Sequence, residues 1–401
     1  MAMRQCLLLA FSALYFLLMA ATFNSLGQVL PYIVADLKLS WAEAGMGFTL
    51  LGTACGAASL LPATTIRLFG VSVTIVLGAL QLVTGFAALA LMTGVPAYLG
   101  GTLLLGMGFC FCGTIPAVHV IGHVFEGRRS TAIGLYFTAG NLGAVCGPLL
   151  FYGVHSATGG WRSYWWICAV AAAAVGGIAA LISRIDEQGR SRVALDGEGG
   201  AATGWTLRRA MAKGQFWLVV VAYTGCLLIN TTVHSFAYQH LLENAVAAGT
   251  ATLVISAAAL VAAAAAALVG LAGQKVGPQQ LTVVALATLA LSSAALVLPT
   301  NGASLSLFAL SFGVGLGAST VSTTLLLRQW FGGLASLELY SVMTVFSTAA
   351  ALGPSIGGHL HDTTGSFAPS LIGQAAIAAL LAGAVALTRP PHAQEEALGV
   401  G

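Results

Sequence analysis

The sequence predicts an all-α integral membrane protein with twelve transmembrane helices in two pseudo-symmetric six-helix bundles. The chain has 401 residues, of which 58% are hydrophobic and only 7% are charged, whereas soluble domains carry about 25% charged residues. Its apolar runs reach about 20 residues, the length of a helix that crosses a bilayer. A weak internal repeat relates the two halves of the chain, as in many transporters.

Hydropathy divides the chain into twelve predicted spans. The first of them follows only four residues and is too long for the apolar region of a signal peptide, so we interpret it as a retained helix. The predicted spans are residues 5–34, 44–66, 71–93, 97–122, 131–156, 163–184, 215–240, 249–272, 279–299, 304–328, 336–357 and 369–388.

The basic residues predict how the chain is oriented. With the N-terminus inside, all 15 Lys and Arg residues except Lys38 and Arg162 fall on the cytoplasmic side. Such an asymmetry places both termini in the cytoplasm. We therefore expect a multi-pass protein of a bacterial-type inner (plasma) membrane.

A polar stretch separates the two predicted bundles. Residues 185–213 are rich in glycine and in charges of both signs, which is typical of a linker. The predicted domains are thus an N-terminal bundle at 1–184, a cytoplasmic linker at 185–213, and a C-terminal bundle with a short tail at 214–401.

Two polar ladders occupy matching helices. An offset of 206 residues aligns span one with span seven, and in each span polar residues recur at every fourth position, which is one helix face. Because polar groups in a bilayer need a partner, we predict that these residues bind substrate; hydrogen bonding between helices is the alternative. The residues are Asn24, Gln28 and Tyr32 in span one, and Asn230, His234 and Tyr238 in span seven.

His234 is the titratable member of these ladders. No acidic residue lies in the middle of a predicted span, although ion-driven carriers usually hold a buried carboxylate. Histidine titrates near physiological pH, so His234 is predicted to bind an acidic or polar substrate group and to carry a proton. A neutral histidine bonded to a neighbouring helix is the alternative.

Further candidates lie near the predicted cavity or its inner end. His119 is a second candidate for proton coupling, and it lies four residues before His123, a spacing at which two histidines can share a metal. No third ligand shows a recognisable spacing, so we predict no metal and no cofactor. Tyr136 and Tyr340 are predicted to wall the cavity, and Arg328 to meet an anionic substrate, with packing and a snorkelling helix end as their alternatives.

The loops after spans two and eight carry a family resemblance. "GLAGQKVGP" at 270–278 and "ATTIRLFG" at 63–70 resemble the loop signature of the major facilitator superfamily. In that family the loop forms a charge latch, which implies a cytoplasmic gate formed here by Arg67, Gly70, Gly270, Gln274, Lys275 and Gly277. Gln274 replaces the acid of the signature, and Arg67 stands at the acidic position of the first loop.

Other segments resemble particular branches of that superfamily. "GTLLLGMG" at 101–108 is similar to its fourth-span signature, with Thr102 at the arginine position. "GWR", "RQWFGG" and "HDTTGSF" resemble the monocarboxylate and oxalate-type branches. "GAVCGP" at 143–148 resembles a motif of exporters, but spaced small residues also serve close helix packing, which we favour.

The resemblance implies a secondary transporter that works by alternating access. We expect a small organic anion such as a monocarboxylate as substrate, with proton symport or facilitated diffusion. An exporter of hydrophobic compounds is one alternative, and a membrane sensor that transports nothing is another. We predict no enzyme activity, no binding of nucleic acid, and a monomer whose partners are the solute, protons and the lipid bilayer.

Overall fold

The chain folds into a bundle of long apolar helices. The computed structural model describes residues 2–59, 61–125, 129–188, 205–272, 276–332 and 335–391. Within these ranges eleven helices are long and apolar enough to cross a membrane, or twelve if one bent pair forms a single span. The predicted all-α membrane fold is confirmed.

The first half of the chain contains spans 1 to 6. Three of these spans are interrupted: span 1 by a short π-helix, span 2 by a 48° bend, and span 4 at Gly113. The helices are α1 (Ala2–Met19), the π-helix (Ala20–Asn24) and α2 (Ser25–Leu37) in span 1; α3 (Trp41–Ala58) and α4 (Leu61–Phe69) in span 2; α5 (Val71–Leu91) in span 3; α6 (Val95–Cys112) and α7 (Thr114–Val124) in span 4; α8 (Arg129–Thr158) in span 5; and α9 (Arg162–Gln188) in span 6.

The second half contains spans 7 to 12 and is more regular. A short helix, α10 (Leu207–Met211), precedes it, and span 11 is divided by a 3₁₀ turn at Thr348–Ala351. The spans are α11 (Gly214–Glu243), α12 (Ala248–Ala272), α13 (Pro278–Val297), α14 (Gly302–Phe331), α15 (Ser336–Ser347) with α16 (Leu352–Thr364), and α17 (Ala368–Leu387). The predicted boundaries of the two domains remain a prediction, and residues 189–204 of the predicted linker lie outside the described residues.

The bundle has two ends, on opposite sides of the membrane. We call the side where span 6 ends and span 7 begins the linker face, and the opposite side the far face. Span 1 therefore runs from the linker face to the far face, and span 7 runs parallel to it. The sequence predicts that the linker face is cytoplasmic.

The outer surface of the bundle is apolar. Leu387, Leu380 and Val170 expose 86%, 74% and 69% of their surface, which would be unfavourable in water over so large an area. In a helix most backbone N–H and C=O groups bond each other, as a lipid environment requires. The exposed side chains thus form the surface that contacts lipid.

Glycines bring spans 1 and 5 into backbone contact. A Cβ atom at Gly143 would lie 2.2 Å from the carbonyl oxygen of Phe16, and one at Gly147 would lie 2.3 Å from that of Ala20. Only a residue without a side chain fits at such a distance. The glycines of "GAVCGP" therefore serve close helix packing, which is the interpretation favoured from the sequence.

The two halves meet near the far face, where span 2 packs along span 11. A Cβ atom at Gly45 would lie 2.2 Å from the carbonyl oxygen of Pro354. Thr49 donates a hydrogen bond of 2.6 Å to the carbonyl of Ala351 and lies 2.8 Å from the hydroxyl of Ser355. The far side of the bundle is closed by these contacts.

Asp362, at the end of span 11, caps the first helix of span 2 across this interface. Its carboxylate accepts hydrogen bonds from the backbone N–H groups of Trp41 (2.9 Å) and Ala42 (2.8 Å). The next N–H, of Glu43, is bonded by Ser40 in a capping box. Helix α3 therefore depends on the second half of the chain for two of its N-terminal acceptors.

We predict that Asp362→Ala favours opening at the far face. The substitution removes a helix cap that exists only while the halves touch, and such a cap is worth about 1 kcal/mol, or roughly a fivefold change in population. Spin labels at exposed Thr158 and Thr250, at the far ends of spans 5 and 8, would report the distance between the halves. The population of long distances should rise.

Asp36→Ala is the matched control for this measurement. Asp36 is also an acid at the far end of a span, but its carboxylate pairs with Arg162 inside the first half. Separation of the halves leaves that pair intact, so the control should keep the native distance distribution. Equal distance distributions for the two variants would show that the Asp362 cap does not hold the halves together.

Candidate functional site

The π-helix in span 1 is held by polar side chains. It widens the helix by one residue and frees backbone carbonyls, which in lipid must find other donors. Three side chains supply them at 2.6–2.7 Å, with Thr22 donating to Leu18, Asn24 to Met19 and Ser25 to Ala20. Irregular turns of this kind are frequent at functional sites.

Span 6 fixes the π-helix from outside. The hydroxyl of Tyr164 donates a 2.7 Å hydrogen bond to Ser25 Oγ, and Ser25 is fully buried. A continuous α-helix would place the residues after Asn24 on another side of span 1. The π-helix therefore helps to turn Asn24 and Gln28 towards span 7.

A cavity lies between spans 1, 7, 8 and 10, on the boundary between the halves. It has room for about one or two water molecules, so a larger solute requires its walls to move apart. None of the residues that line it in the described part of the chain is Lys, Arg, Asp or Glu. The lining residues are Asn24, Gln28, Val233, His234, Ala237, Tyr238, Ile255, Ala258, Ala259, Phe308, Phe312 and Leu316.

His234 lies on the wall that span 7 contributes. Its Nδ1 is 2.9 Å from the backbone carbonyl oxygen of Asn230, and its ring centroid is 5.5 Å from that of Phe312. A Cβ atom at Gly27 would lie 1.9 Å from the backbone oxygen of His234. Glycine at that position thus lets span 1 approach span 7 beside the histidine.

A hydrogen bond from one of the lining residues joins the halves. Gln28 Nε2 donates to Thr252 Oγ1 at 3.1 Å, from span 1 to span 8. The side-chain oxygen Oε1 of Gln28 is buried and has no hydrogen-bond partner among the described residues. Gln28 therefore helps to hold the two halves together, and it also carries an acceptor atom that no described residue satisfies.

Tyrosines close the cavity towards the far face. Tyr238 interacts with the side chains of Tyr32 and Thr252, and a Cβ atom at Gly249 would lie 3.2 Å from the hydroxyl of Tyr152. The ring of Tyr32 lies 4.2 Å from that of His155, between centroids. Tyr32 is thus a neighbour of the site that contacts Tyr238 and does not itself line the cavity.

Five other predicted residues lie outside this cavity. Asn230 has a buried side-chain oxygen without a partner among the described residues. Tyr136 is fully buried and stacks on Tyr15 at 4.5 Å. Tyr340 is half-buried beside Tyr223. Arg328 is exposed at the linker face, and His119 is half-buried in α7; their predicted roles in binding remain predictions.

The predicted gate loops are described in part. Arg67 is exposed at the end of α4, and Gly70 begins α5 with φ of 89°, a conformation that favours glycine. Gly270 lies in α12, and Gly277 is the N-cap of α13. Gln274 and Lys275 lie outside the described residues. The gate itself remains a prediction.

Sequence reasoning missed the walls that spans 8 and 10 contribute. Phe308 and Phe312 of span 10 stack with ring centroids 5.5 Å apart, and Ile255, Ala258 and Ala259 of span 8 line the same cavity. Apolar residues in apolar helices carry no hydropathy signal. The four-residue spacing of Phe308, Phe312 and Leu316 on one helix face was the available indication.

A metal centre is not formed by the residues that the structure describes. Within those residues no group of three or more His, Cys, Asp and Glu side chains is placed to hold a metal ion. His123, the neighbour of His119 in the sequence, has a side chain outside the described set.

Comparison with known proteins identifies the family and the fold. Residues 11–328 match the profile of the Major Facilitator Superfamily. A solved structure of the nucleoside transporter NupG is similar, with a TM-score of 0.74 and 14% identity over 96% of this chain and 98% of that chain. A search of curated proteins gives no match.

Two further solved structures show the same architecture. A bacterial homologue of the human lysosomal transporter Spinster, in an inward-facing and occupied conformation, gives a TM-score of 0.72 at 19% identity over 97% of this chain and 98% of that chain. A mutant of the peptide transporter POT with sulfate gives 0.73 at 15% identity over 96% and 94%. At these identities the likeness concerns the fold.

We predict that Ser25→Ala destabilises the protein by about 1–3 kcal/mol, because the Ala20 carbonyl and the Tyr164 hydroxyl both lose a buried partner. Thermal unfolding in detergent measures the change. Thr84→Ala is the control, since the exposed Thr84 hydroxyl bonds only carbonyls of its own helix, and it should change stability by less than about 0.5 kcal/mol. If the two substitutions change stability equally, the hydrogen bonds of Ser25 do not support the π-helix.

Proposed function

We propose that the chain, which belongs to the Major Facilitator Superfamily of membrane transporters, moves a small organic solute by alternating access around the cavity at His234. The observation that carries this proposal is the position of the cavity. It lies between span 1 of the first half and spans 7, 8 and 10 of the second. Solute sites between halves at mid-membrane are typical of such carriers.

The contacts at the far face support a rocking movement. Gln28–Thr252, Thr49–Ala351 and the Asp362 cap all join one half to the other. Separation of the halves there would expose the cavity to the far side, while the present arrangement closes that route. Alternation between these states needs no ATP.

We propose a small organic anion as substrate, carried together with a proton. Because the lining residues of the cavity include no Lys or Arg, only His234 can supply a positive charge beside a carboxylate. A protonated imidazole and a carboxylate form a neutral pair, which crosses a bilayer at lower cost than either charge alone. Without a proton gradient the same site would support facilitated diffusion.

The orientation follows from the charge asymmetry of the sequence. We propose that the linker face is cytoplasmic in a bacterial-type inner membrane, and that the protein works as a monomer of two six-helix bundles, residues 1–184 and 214–401. The predicted gate at Arg67, Gly70, Gly270, Gln274, Lys275 and Gly277 would then open and close on the cytoplasmic side.

Flux in proteoliposomes tests this function. We expect labelled monocarboxylates to enter faster when the outside is acidic, and we expect His234→Gln to abolish the effect of the pH gradient, because glutamine cannot take up a proton. Residual uptake by the variant should be independent of the gradient. The measurement is the initial rate of uptake with and without a pH gradient.

His359→Gln is the matched control for this variant. His359 also lies in a span but is exposed and does not line the cavity, so its replacement should leave gradient-driven uptake unchanged. The anion proposal would fail if no monocarboxylate is transported or competes. The proton-coupling role would fail if His234→Gln keeps the response to the gradient.

One observation favours a second candidate, an exporter of hydrophobic compounds. Apart from Asn24, Gln28, His234 and Tyr238, the cavity is lined by apolar side chains. Such a wall suits a largely apolar solute. Cells that lack the protein would then accumulate hydrophobic dyes, and retention equal to that of normal cells would reject this candidate.

A further inference from the structure

Three of the four polar side chains at the cavity, those of Asn24, Gln28 and His234, have fixed orientations. For Gln28, the neighbouring Thr252 decides which end of the amide faces it. The hydroxyl of Thr252 lies 2.9 Å from the carbonyl oxygen of Ala248 and donates its only hydrogen there. Thr252 can therefore only accept from Gln28, so the amide nitrogen faces Thr252 and the oxygen has no partner among the described residues.

His234 is fixed in the same way by its own helix. A backbone carbonyl can only accept, and Nδ1 lies 2.9 Å from the carbonyl oxygen of Asn230. Nδ1 therefore carries a proton, and in the neutral ring Nε2 is a bare acceptor. His234 lines the cavity, so its unprotonated nitrogen is the group available to a solute.

The π-helix orients the third polar group. Asn24 donates from Nδ2 to the carbonyl oxygen of Met19 at 2.7 Å, which leaves Oδ1 as the free end of its amide. Asn24, Gln28 and His234 thus each donate a hydrogen bond to the protein, and each has one acceptor atom that no other described residue bonds. The aromatic rings of Phe308 and Phe312 form the apolar wall of the same cavity.

We propose that, while His234 is neutral, the cavity binds an uncharged organic solute that presents at least two hydrogen-bond donors, O–H or N–H, beside an apolar or aromatic face. The donors would satisfy Gln28 Oε1 and His234 Nε2, and the apolar face would lie against Phe308 and Phe312. This inference rests on the proposed transport site and narrows its substrate class. A carboxylate qualifies only when His234 is protonated, because the neutral ring would meet it with a bare acceptor.

Binding to purified protein tests this class separately from flux. The probes are benzamide, which has two N–H donors on a planar ring, N,N-dimethylbenzamide, which has none, and benzoate at alkaline pH, where it is an anion. We expect benzamide at millimolar concentration to raise the melting temperature. The dimethyl analogue and benzoate should bind at least about tenfold more weakly, as the loss of one hydrogen bond predicts.

Thr252→Val removes the contact that fixes the orientation of the Gln28 amide. Valine has the shape of threonine but accepts no hydrogen bond, so the amide nitrogen becomes free to face the solute. We expect the preference for benzamide over its dimethyl analogue to fall by about tenfold. The ligand-free melting temperature of the variant shows whether it is folded, and Gln28→Leu provides a second variant that should weaken benzamide binding.

Thr224→Val is the matched control. Thr224 lies in span 7 and bonds the carbonyl of Val220 in its own helix, away from the cavity, so the probe preference should be unchanged. The proposal is overturned if benzoate or the dimethyl analogue binds as well as benzamide, if no donor-bearing probe binds, or if Thr252→Val keeps the native preference. Failure of monocarboxylate flux with donor-selective binding would instead reject only the proposed anion.

Discussion

The π-helix at Ala20–Asn24 is the constraint on which the site depends. A backbone that leaves α-helical geometry inside a bilayer must bond its free carbonyls within the chain, and here Asn24 and Ser25 do so. The same turn directs Asn24 and Gln28 towards the second half. Neighbouring residues of one turn therefore both support the backbone and line the cavity. Tyr164 of span 6 adds a hydrogen bond to Ser25.

Closure at the far face follows the same requirement for partners. Two N–H groups of α3 are satisfied by Asp362 of the other half, and Gln28 is satisfied by Thr252. These bonds are exchanged for bonds to water when the halves separate, so each stabilises the closed state only by its net worth, about 1 kcal/mol. Several weak contacts between halves suit a carrier that must open in each cycle.

The sequence predicts the spans and the ladders because both have a periodic signal. Twelve apolar runs and the spacing of Asn24 with Gln28 and of His234 with Tyr238 are visible in one dimension. The cap between Asp362 and Trp41 joins residues far apart in the chain, so no local sequence pattern predicts it. Phe308 and Phe312 are indistinguishable by type from residues that face lipid.

The paired ladders are unequal in the structure. An offset of 206 residues treats spans 1 and 7 as equivalent, but only span 1 contains a π-helix within the described residues. Asn24 and Gln28 share the cavity with His234 and Tyr238, while Asn230 and Tyr32 lie outside it. His234 then differs from its counterpart Gln28 in one chemical respect, since its free nitrogen can become a donor by taking up a proton, whereas the free oxygen of Gln28 stays an acceptor. A proton at His234 would change what the cavity accepts, and substrate choice and proton coupling would reside in the same ring.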